Sequence, residues 1–434
     1  MIGLVVTILI DTSVVKVNDL IDKYFIPLQS KLMLFSINSV VCLLLQYFII
    51  RYIKNSFEGE RRSKALKIKS FHLISIVSLS ILGASVGLLI FQQFHYQYYE
   101  SWTSILIIIV SYGTGAALIS WLAKLFLSWY RSNRSLIVFL YFVSMIVIAF
   151  NLVMAAVYAT LKVSARPAQV VEYVGSSGDV SGTRFMVVDN MYSISSFMAF
   201  FSIWITTAIL MNYYKEKLIN VILYWFLLII PIVYFAITYF YQFTLSTFLI
   251  SYMIVDPVAV SIFLGAFLSL SKPIGGLVFG AAFWNISRTI KYERKIRTYM
   301  IISGWGIFLI FAANQAAAQI VSPYPPFGLA TITVLNIAAY LMLIGIYNSA
   351  TLVSTNDNLR KSIHKHAVNS NLLDLIGHAE MEKEIQKTVT EIIRSHDISK
   401  IDKESEFELD EQEIRRYIDI VIKEVKKDDR SSLP

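Results

Sequence analysis

One lysine stands in the middle of a long apolar stretch, where a positive charge is costly. The stretch FLGAFLSLSKPIGGLVFGAAFW runs from residue 263 to residue 284 and contains Lys272 followed by Pro273. A charged side chain at membrane depth costs about 2.5–3.5 kcal/mol on insertion scales and usually marks a functional site. A buried ammonium of this kind could bind an anion or a carboxylate, or line a polar cavity.

Neutral polar side chains elsewhere in the chain could compensate this charge. We expect a ligand site or polar cavity formed by Lys272, Asn314, Gln315 and Gln319, with Asn151 and Asn336 as the next candidates. Asp256 is the only acid that the pattern places in or near a span, and sixteen residues of straight helix would separate it from the lysine by roughly 24 Å. A structural role is the alternative, in which the lysine contacts water or carbonyl groups that a helix break leaves free.

The residues around the lysine predict an interrupted helix. An aspartate followed by proline is typical of a helix start, and a later proline with two glycines gives the helix a place to bend. A single span over residues 257–287 is too long to stand straight in a bilayer. The predicted break is formed by Asp256, Pro257, Pro273, Gly275 and Gly276.

The composition places these residues in a membrane protein. The 434-residue chain is 56% hydrophobic, has a mean hydropathy of +0.60 and is only 16% charged, against about 25% charged in soluble domains. Its apolar blocks are 18 residues or longer, enough to cross about 30 Å of hydrocarbon as helices. The alternation expected of a β-barrel is absent. We therefore predict an all-α polytopic membrane protein.

Span lengths and the positions of lysine and arginine give a topology. The loop 51–69 carries seven basic residues and is assigned to the cytoplasm, which puts the N-terminus outside and the C-terminus inside a plasma membrane. Residues 1–30 form an extracytoplasmic segment, whose apolar run MIGLVVTILI reads as a strand or an interfacial piece. About nine spans are predicted in the bundle 31–353, at 31–53, 71–93, 103–125, 135–160, 192–213, 218–240, 257–287, 299–321 and 329–353.

The outer loop 161–191 is longer than a simple connection requires. Its runs AQVVEYV (168–174) and TRFMVVD (183–189) have strand-like composition and are separated by GSSGDVSG, which signals a turn. The sequence therefore predicts a small extracytoplasmic β-hairpin. It could cap the bundle or contact a ligand or partner.

The last part of the chain, residues 354–434, reads as a cytoplasmic helical tail. Apolar residues recur at Ile376, Ile385, Val389 and Ile392 in a first amphipathic stretch. After a polar linker, a second helix has an apolar face with steps of four, three and four residues. This predicted partner-binding face consists of Ile414, Ile418, Val421 and Val425. It favours a cytoplasmic protein partner or self-association, in addition to the membrane lipid around the bundle.

Several classes of function lack support in the sequence. Residues 1–353 carry 24 basic and 12 acidic residues and the tail 14 and 18, so the basic excess follows membrane topology and does not indicate nucleic-acid binding. The single cysteine, Cys42, excludes an intramolecular disulfide and cysteine-based metal sites. None of the common nucleotide-binding, metalloprotease or hydrolase motifs occurs. We expect no enzyme activity, no cofactor and no metal.

Three functions remain in this interpretation. A receptor-like sensor that passes a membrane or extracytoplasmic signal to the helical tail is preferred, because the tail has faces that need partners. A transporter or channel for a small anionic or neutral solute is the first alternative, based on Lys272 beside a helix break. A non-catalytic subunit of a larger membrane complex is the second.

Overall fold

The computed structural model describes ten ranges of the chain. They are residues 1–23, 28–57, 62–96, 98–164, 183–212, 221–240, 270–290, 293–319, 325–356 and 372–400.

Within these ranges the chain is folded into helices, and no extended strand is formed. The helices are α1 (Ile2–Lys23), α2 (Leu28–Phe57), α3 (Arg62–Tyr96), α4 (Ser101–Ser132), α5 (Leu136–Ser164), α6 (Thr183–Asn212), α7 (Val221–Phe240), α8 (Ser271–Thr289), α9 (Arg294–Gln319), α10 (Leu329–Thr355) and α11 (Leu372–Lys400).

The helices confirm a multi-pass helical membrane architecture. Seven of them are long and apolar enough to cross a bilayer, and they coincide with seven of the nine predicted spans. The other two predicted spans, 218–240 and 257–287, overlap α7 and α8, which have 20 and 19 residues. Whether α7 and α8 cross the membrane stays a prediction, as do the orientation of the termini and the identity of the membrane.

The N-terminal segment and the outer hairpin differ from expectation. Residues 2–23 form α1, so the strand interpretation of the first apolar run is wrong. A short apolar run cannot be assigned to strand or helix by periodicity alone, and here Leu4 and Ile8, four residues apart, are both buried. The prediction of a second hairpin strand at residues 183–189 is also wrong, because these residues form the first turns of α6. The first strand, 168–174, lies outside the described residues.

The lysine-bearing helix is shorter than predicted at its N-terminal end. Helix α8 begins at Ser271 with Leu270 as its N-cap. The prediction of one continuous helix over residues 257–287 that bends at Pro273 is therefore wrong. Pro273 lies in the first turn, where the missing N–H has no intrahelical partner to lose. The two glycines that follow it continue the helix. Asp256 and Pro257 lie outside the described residues.

Helix α10 forms the centre of the bundle. All but a few of its side chains are buried, because it is apolar on every side and packs against α9, α4, α11, α2, α3 and α1. Its N-terminus is capped by a side chain from another helix. Asp11 Oδ2 of α1 accepts hydrogen bonds from Thr331 N and Oγ1, at 2.9 and 2.6 Å. This carboxylate therefore holds α1 against the start of the central helix.

Small residues allow close backbone approach in one part of the bundle. A Cβ atom at Gly280 of α8 would lie 2.6 Å from the carbonyl oxygen of Gly304 of α9, and a Cβ at Gly304 would lie 2.8 Å from that of Gly280. A Cβ at Gly276 would lie 2.9 Å from Phe311. By contrast, Cβ atoms at Gly83 and Gly87 of α3 would meet no atom within 4 Å. The two GxxxG motifs thus have different surroundings, and only the one in α8 packs tightly.

Candidate functional site

Lys272 is buried at an unusual place for a cation, the first turn of a helix. Its side chain is only 6% exposed, and the turn contains no acidic residue and no side-chain cap. The N-terminal end of a helix carries the positive end of the helix dipole, which disfavours a cation by about 0.3–1 kcal/mol. The lysine therefore needs a compensating contact from another helix.

Tyr192 of α6 provides that contact. Lys272 Nζ donates a hydrogen bond of 2.9 Å to Tyr192 Oη and lies 5.0 Å from the centroid of its ring. The Tyr192 ring stacks on Tyr158 of α5 with centroids 4.7 Å apart and an interplanar angle of 6°. The Nζ atom of Lys162 lies 5.5 Å from the Tyr158 centroid. Two stacked tyrosine rings are thus flanked by two ammonium groups, an arrangement that favours the positive charges through the electron-rich ring faces.

A buried chain of neutral polar groups leads from this stack to α9. Asn314 Nδ2 donates to Asn151 Oδ1 at 2.7 Å, and Asn151 Nδ2 donates to Ser195 Oγ at 3.0 Å. Ser195 Oγ in turn donates to the backbone oxygen of Tyr192 at 2.9 Å. The chain connects α9, α5 and α6 at the level of the lysine. The polar groups of three helices are therefore coupled to the residue that holds Lys272.

Several buried polar atoms beside this network have no hydrogen-bond partner in the part of the chain that the structure describes. They are Tyr112 Oη, Ser271 Oγ and Asn314 Oδ1. Tyr112 of α4 is close enough to Tyr192 to interact with it electrostatically, and Ser271 precedes the lysine in the same helical turn. A buried polar atom without a partner costs about 1–3 kcal/mol. This region therefore has spare hydrogen-bonding capacity.

The predicted site is brought together only in part. Lys272 is buried, as expected, but its partner is Tyr192, and Asn314 pairs with Asn151 instead. Gln315 is half-buried, and the side chain of Gln319 lies outside the described residues. Asn336 donates to the backbone oxygen of Ser75, away from the lysine. The sequence did not indicate Tyr192 as a site residue, because an aromatic residue in an apolar helix usually belongs to the core. The serines in the stretch MYSISS around it were the signal that this part of the helix is polar.

The expectation that Asp256 is the only acid in or near a span is wrong. Asp11 is buried against α10, and Asp189 of α6 lies within the helical segment long enough to span the membrane. Asp189 also interacts electrostatically with Tyr192, three residues further along the helix. Both acids were missed because α1 was not recognised as a helix and the start of α6 was placed at residue 192. Among the described residues no three His, Cys, Asp or Glu side chains cluster as metal ligands would.

The helix after the last span packs against the other end of the bundle. Trp129 Nε1 of α4 donates to Glu380 Oε2 of α11 at 2.8 Å, and Ser132 Oγ donates to Glu382 Oε2. Leu373 and Ile376 of α11 are fully buried. A Cβ at Gly377 would lie 2.2 Å from Val353 Cγ1 of α10, so α11 touches the end of the central helix directly.

Further along α11 the apolar stripe leaves the bundle. Ile385 is 36% exposed and Val389 is half-buried, so the predicted first tail helix is docked at one end and open at the other. The second tail helix and its face, Ile414, Ile418, Val421 and Val425, lie outside the described residues.

The fold and two features define a class: a multi-pass α-helical membrane protein with a buried lysine and a helix that packs on the bundle after α10. The lysine and its polar neighbours, Ser271, Lys272, Tyr192 and Tyr112, are called the Lys272 cluster. No protein-family model, curated protein or solved structure matches the chain.

Proposed function

We propose that the protein is a membrane sensor that transmits a signal from the Lys272 cluster to the helix α11. The observation that carries the proposal is the docking of α11 on α10 and α4. The first turns of α11 are held by the buried Leu373 and Ile376, by the close contact of Gly377 with α10 and by two side-chain hydrogen bonds to α4. A movement of α4 or α10 therefore changes the contacts that hold this helix. Its continuation, with Ile385 exposed, is available to a partner in the compartment that contains the tail.

The proposed input and output lie at opposite ends of the bundle. Ser132, at the end of α4, contacts α11 and is joined to Leu136 of α5 by a three-residue connection. Tyr158 lies 22 residues further along α5, or roughly 33 Å at 1.5 Å per residue. The Lys272 cluster therefore occupies the end of the bundle that is remote from the tail helix. This separation suits a protein that reports across a membrane.

Continuous elements connect the two ends. Helix α9 carries Asn314 of the polar chain and makes the largest interface of the central helix α10. At Gly345 of α10, an added Cβ would lie 2.2 Å from Ser303 Oγ of α9. Such close packing transmits small displacements because the interface has no free space in which to absorb them. A shift of α9 at Asn314 would thus move α10, which contacts α11 at Val353.

A transporter for a small anionic solute is the second candidate, and the same buried lysine favours it. Transporter sites are often formed where a helix begins or ends at membrane depth. The two candidates differ in their dependence on α11. A sensor needs the tail contact in order to signal, whereas transport needs a path through the bundle.

The proposal is tested by displacing α11 with Gly377→Val in cells that lack their own copy of the gene. The added side chain collides with Val353, so we expect hydrogen exchange of residues 372–382 to increase at least tenfold in the purified protein. In the cells, we expect Gly377→Val to change the levels of the same transcripts that deletion of the gene changes, whether each level rises or falls. Lys387→Gln, an exposed change on the same helix, is the matched control and should leave both measurements unchanged.

Two results would argue against a sensor. One is a wild-type transcript profile in Gly377→Val cells although α11 is displaced. The other is uptake of radiolabelled anions into liposomes that depends on Lys272 and is unaffected by Gly377→Val. The second result would support the transporter.

A further inference from the structure

Several hydrogen-bond donors at the start of α8 have no acceptor within the described part of the chain. The Lys272 ammonium has three N–H groups, of which one is used by Tyr192 Oη. The backbone N–H groups of Ser271 and Lys272 precede the first intrahelical bond, which runs from Ile274 N to Leu270 O at 2.9 Å. The hydroxyls of Ser271 and Tyr112 have no partner among the described residues. These donors are buried, so bulk water does not satisfy them.

No carboxylate of the described residues contacts the Lys272 amine. A buried ammonium at the positive end of a helix dipole is favoured only when a negative group lies beside it. Within the described residues the one carboxylate linked to the cluster is Asp189, which acts on Tyr192 and is half-buried. Within the described part of the chain, the Lys272 amine contacts the hydroxyl and the ring of Tyr192, a neutral group. Among the described residues, the Lys272 amine therefore has no anionic group in contact with it.

We propose that the cluster formed by Ser271, Lys272, Tyr192 and Tyr112 binds the carboxylate group of a monovalent organic anion. A single negative charge matches the one buried amine of Lys272, because Lys162 is only half-buried and lies against the Tyr158 ring. A dianion would leave a buried charge without a partner. The two carboxylate oxygens accept from the ammonium and from the backbone or side-chain donors of the first turn, as anions do at helix N-termini. The inference rests on the proposed sensor function in so far as the carboxylate is the signal.

Aromatic side chains pack against the first turn of α8. A Cβ at Gly275, one turn after Ser271, would lie 2.2 Å from the Phe200 ring, so the glycine lets an aromatic group approach the first turn of α8. Phe200 stacks on Phe235 with centroids 4.1 Å apart. A carboxylate could reach this place from water, as a short acid, or from the bilayer, as a fatty acid. Both sources present the same chemistry to the lysine.

Direct binding to the purified full-length protein tests the inference. The protein is placed in nanodiscs of neutral phosphatidylcholine, and its melting temperature is measured against increasing acetate, benzoate or oleate, with phosphate and chloride at equal ionic strength. A bound ligand raises the melting temperature in a saturable way. We expect saturation with at least one carboxylate and none with phosphate or chloride. Benzoate or acetate would identify a water-soluble ligand, and oleate alone a ligand from the bilayer.

Variants make the result specific to the cluster. Lys272→Met removes a buried charge and should fold, and we expect it to lose at least tenfold in carboxylate affinity. Tyr192→Phe should lose affinity by a smaller factor, and Lys124→Gln, a change of an exposed lysine on α4, should lose none. The inference is overturned if no carboxylate gives a saturable shift, if phosphate acts equally well, or if Lys272→Met binds as tightly as the wild type.

The binding experiment tests the carboxylate site, and the transcript experiment tests the sensor function. If a carboxylate binds but Gly377→Val cells keep a wild-type transcript profile, the site stands and the sensor proposal fails. If no carboxylate binds but that variant reproduces the deletion, the sensor stands with a different input.

Discussion

At the scale of single residues, the pair Lys272 and Tyr192 shows how a buried cation is tolerated in this bundle. The ammonium lies at the start of a helix, where the dipole opposes it, and its described contact is a phenol hydroxyl at 2.9 Å. The tyrosine is itself fixed by stacking on Tyr158 and by the Ser195 hydrogen bond to its backbone. The lysine thus depends on one oxygen atom whose position is set by other helices.

The energetic dependence of this pair can be measured by a double-mutant cycle. Tyr192→Phe removes the acceptor for a buried ammonium, and we expect it to lower the free energy of unfolding by about 1–3 kcal/mol without added carboxylate. In a Lys272→Met background the same change should cost much less, because no charge is left unpaired. Lys272→Met alone should be neutral or stabilising. Unfolding in mixed micelles provides the free energies.

Tyr112→Phe is the matched control, since the Tyr112 hydroxyl has no hydrogen bond among the described residues. It should leave the free energy of unfolding unchanged or raise it slightly. Equal losses for Tyr192→Phe in both backgrounds would mean that the hydroxyl stabilises something other than Lys272.

At the scale of elements, close packing of α8, α9 and α10 sets the position of the site. The reciprocal contact of Gly280 and Gly304 brings the backbones of α8 and α9 together. In this antiparallel pair, moving two turns from Gly280 toward the start of α8 brings Lys272 to the level of Asn314. The glycine contact therefore sets the position of the start of α8 along α9.

The two GxxxG motifs should respond differently to the same substitution. Gly280→Val inserts a branched side chain where an added Cβ would lie 2.6 Å from a backbone oxygen, and we expect a loss of about 1–3 kcal/mol or more in unfolding free energy. At Gly83 of α3 an added Cβ would meet no atom of the described residues within 4 Å, so Gly83→Val should be neutral in the monomer. The comparison is made by thermal unfolding of both variants in the same detergent.

A large effect of Gly83→Val would show that α3 packs against another copy of the chain or another protein in the membrane. An equally small effect of both changes would mean that α8 and α9 separate easily. The second result would remove the rigid contact on which the proposed signal path depends.

At the scale of the whole molecule, the two ends of the bundle differ in structure. The Lys272 cluster occupies the end formed by the C-termini of α5 and α9, and α11 covers the end formed by the C-termini of α4 and α10. Basic residues of the chain collect at the second end, for example Arg131 near the end of α4. The positive-inside rule predicts that this end is cytoplasmic.

Cysteine accessibility tests the predicted orientation. The only native cysteine, Cys42, is buried and is replaced by serine to give a cysteine-free background. In intact cells we expect Glu100→Cys, in the short connection before α4, to react with a membrane-impermeant maleimide. Lys387→Cys on α11 should react only after lysis. The opposite pattern would invert the topology and place the Lys272 cluster in the cytoplasmic half of the membrane.

The sequence by itself determined the membrane class and most of the spans. Length and hydropathy are sufficient to find the spans, because in a bilayer every backbone N–H and C=O group has to be hydrogen-bonded within the segment. An apolar run of sufficient length is therefore a helix. The burial of Lys272 followed from the same pattern. The first tail helix followed from its amphipathic period. These features are local, and each can be read from one stretch of the chain.

The tertiary structure alone decided which residues meet. Tyr192 and Lys272 are 80 positions apart, and Asp11 and Thr331 are 320 apart, so no local pattern relates them. Short or ambiguous segments were also decided by packing: the first apolar run is a helix because it lies against α2 and α10, and residues 183–189 are helical because they continue α6. In a bundle of apolar helices every face can be buried, and hydrophobic periodicity therefore does not indicate neighbours. The partner of the lysine and the docking of the tail depend on contacts between distant segments, which only the folded chain contains.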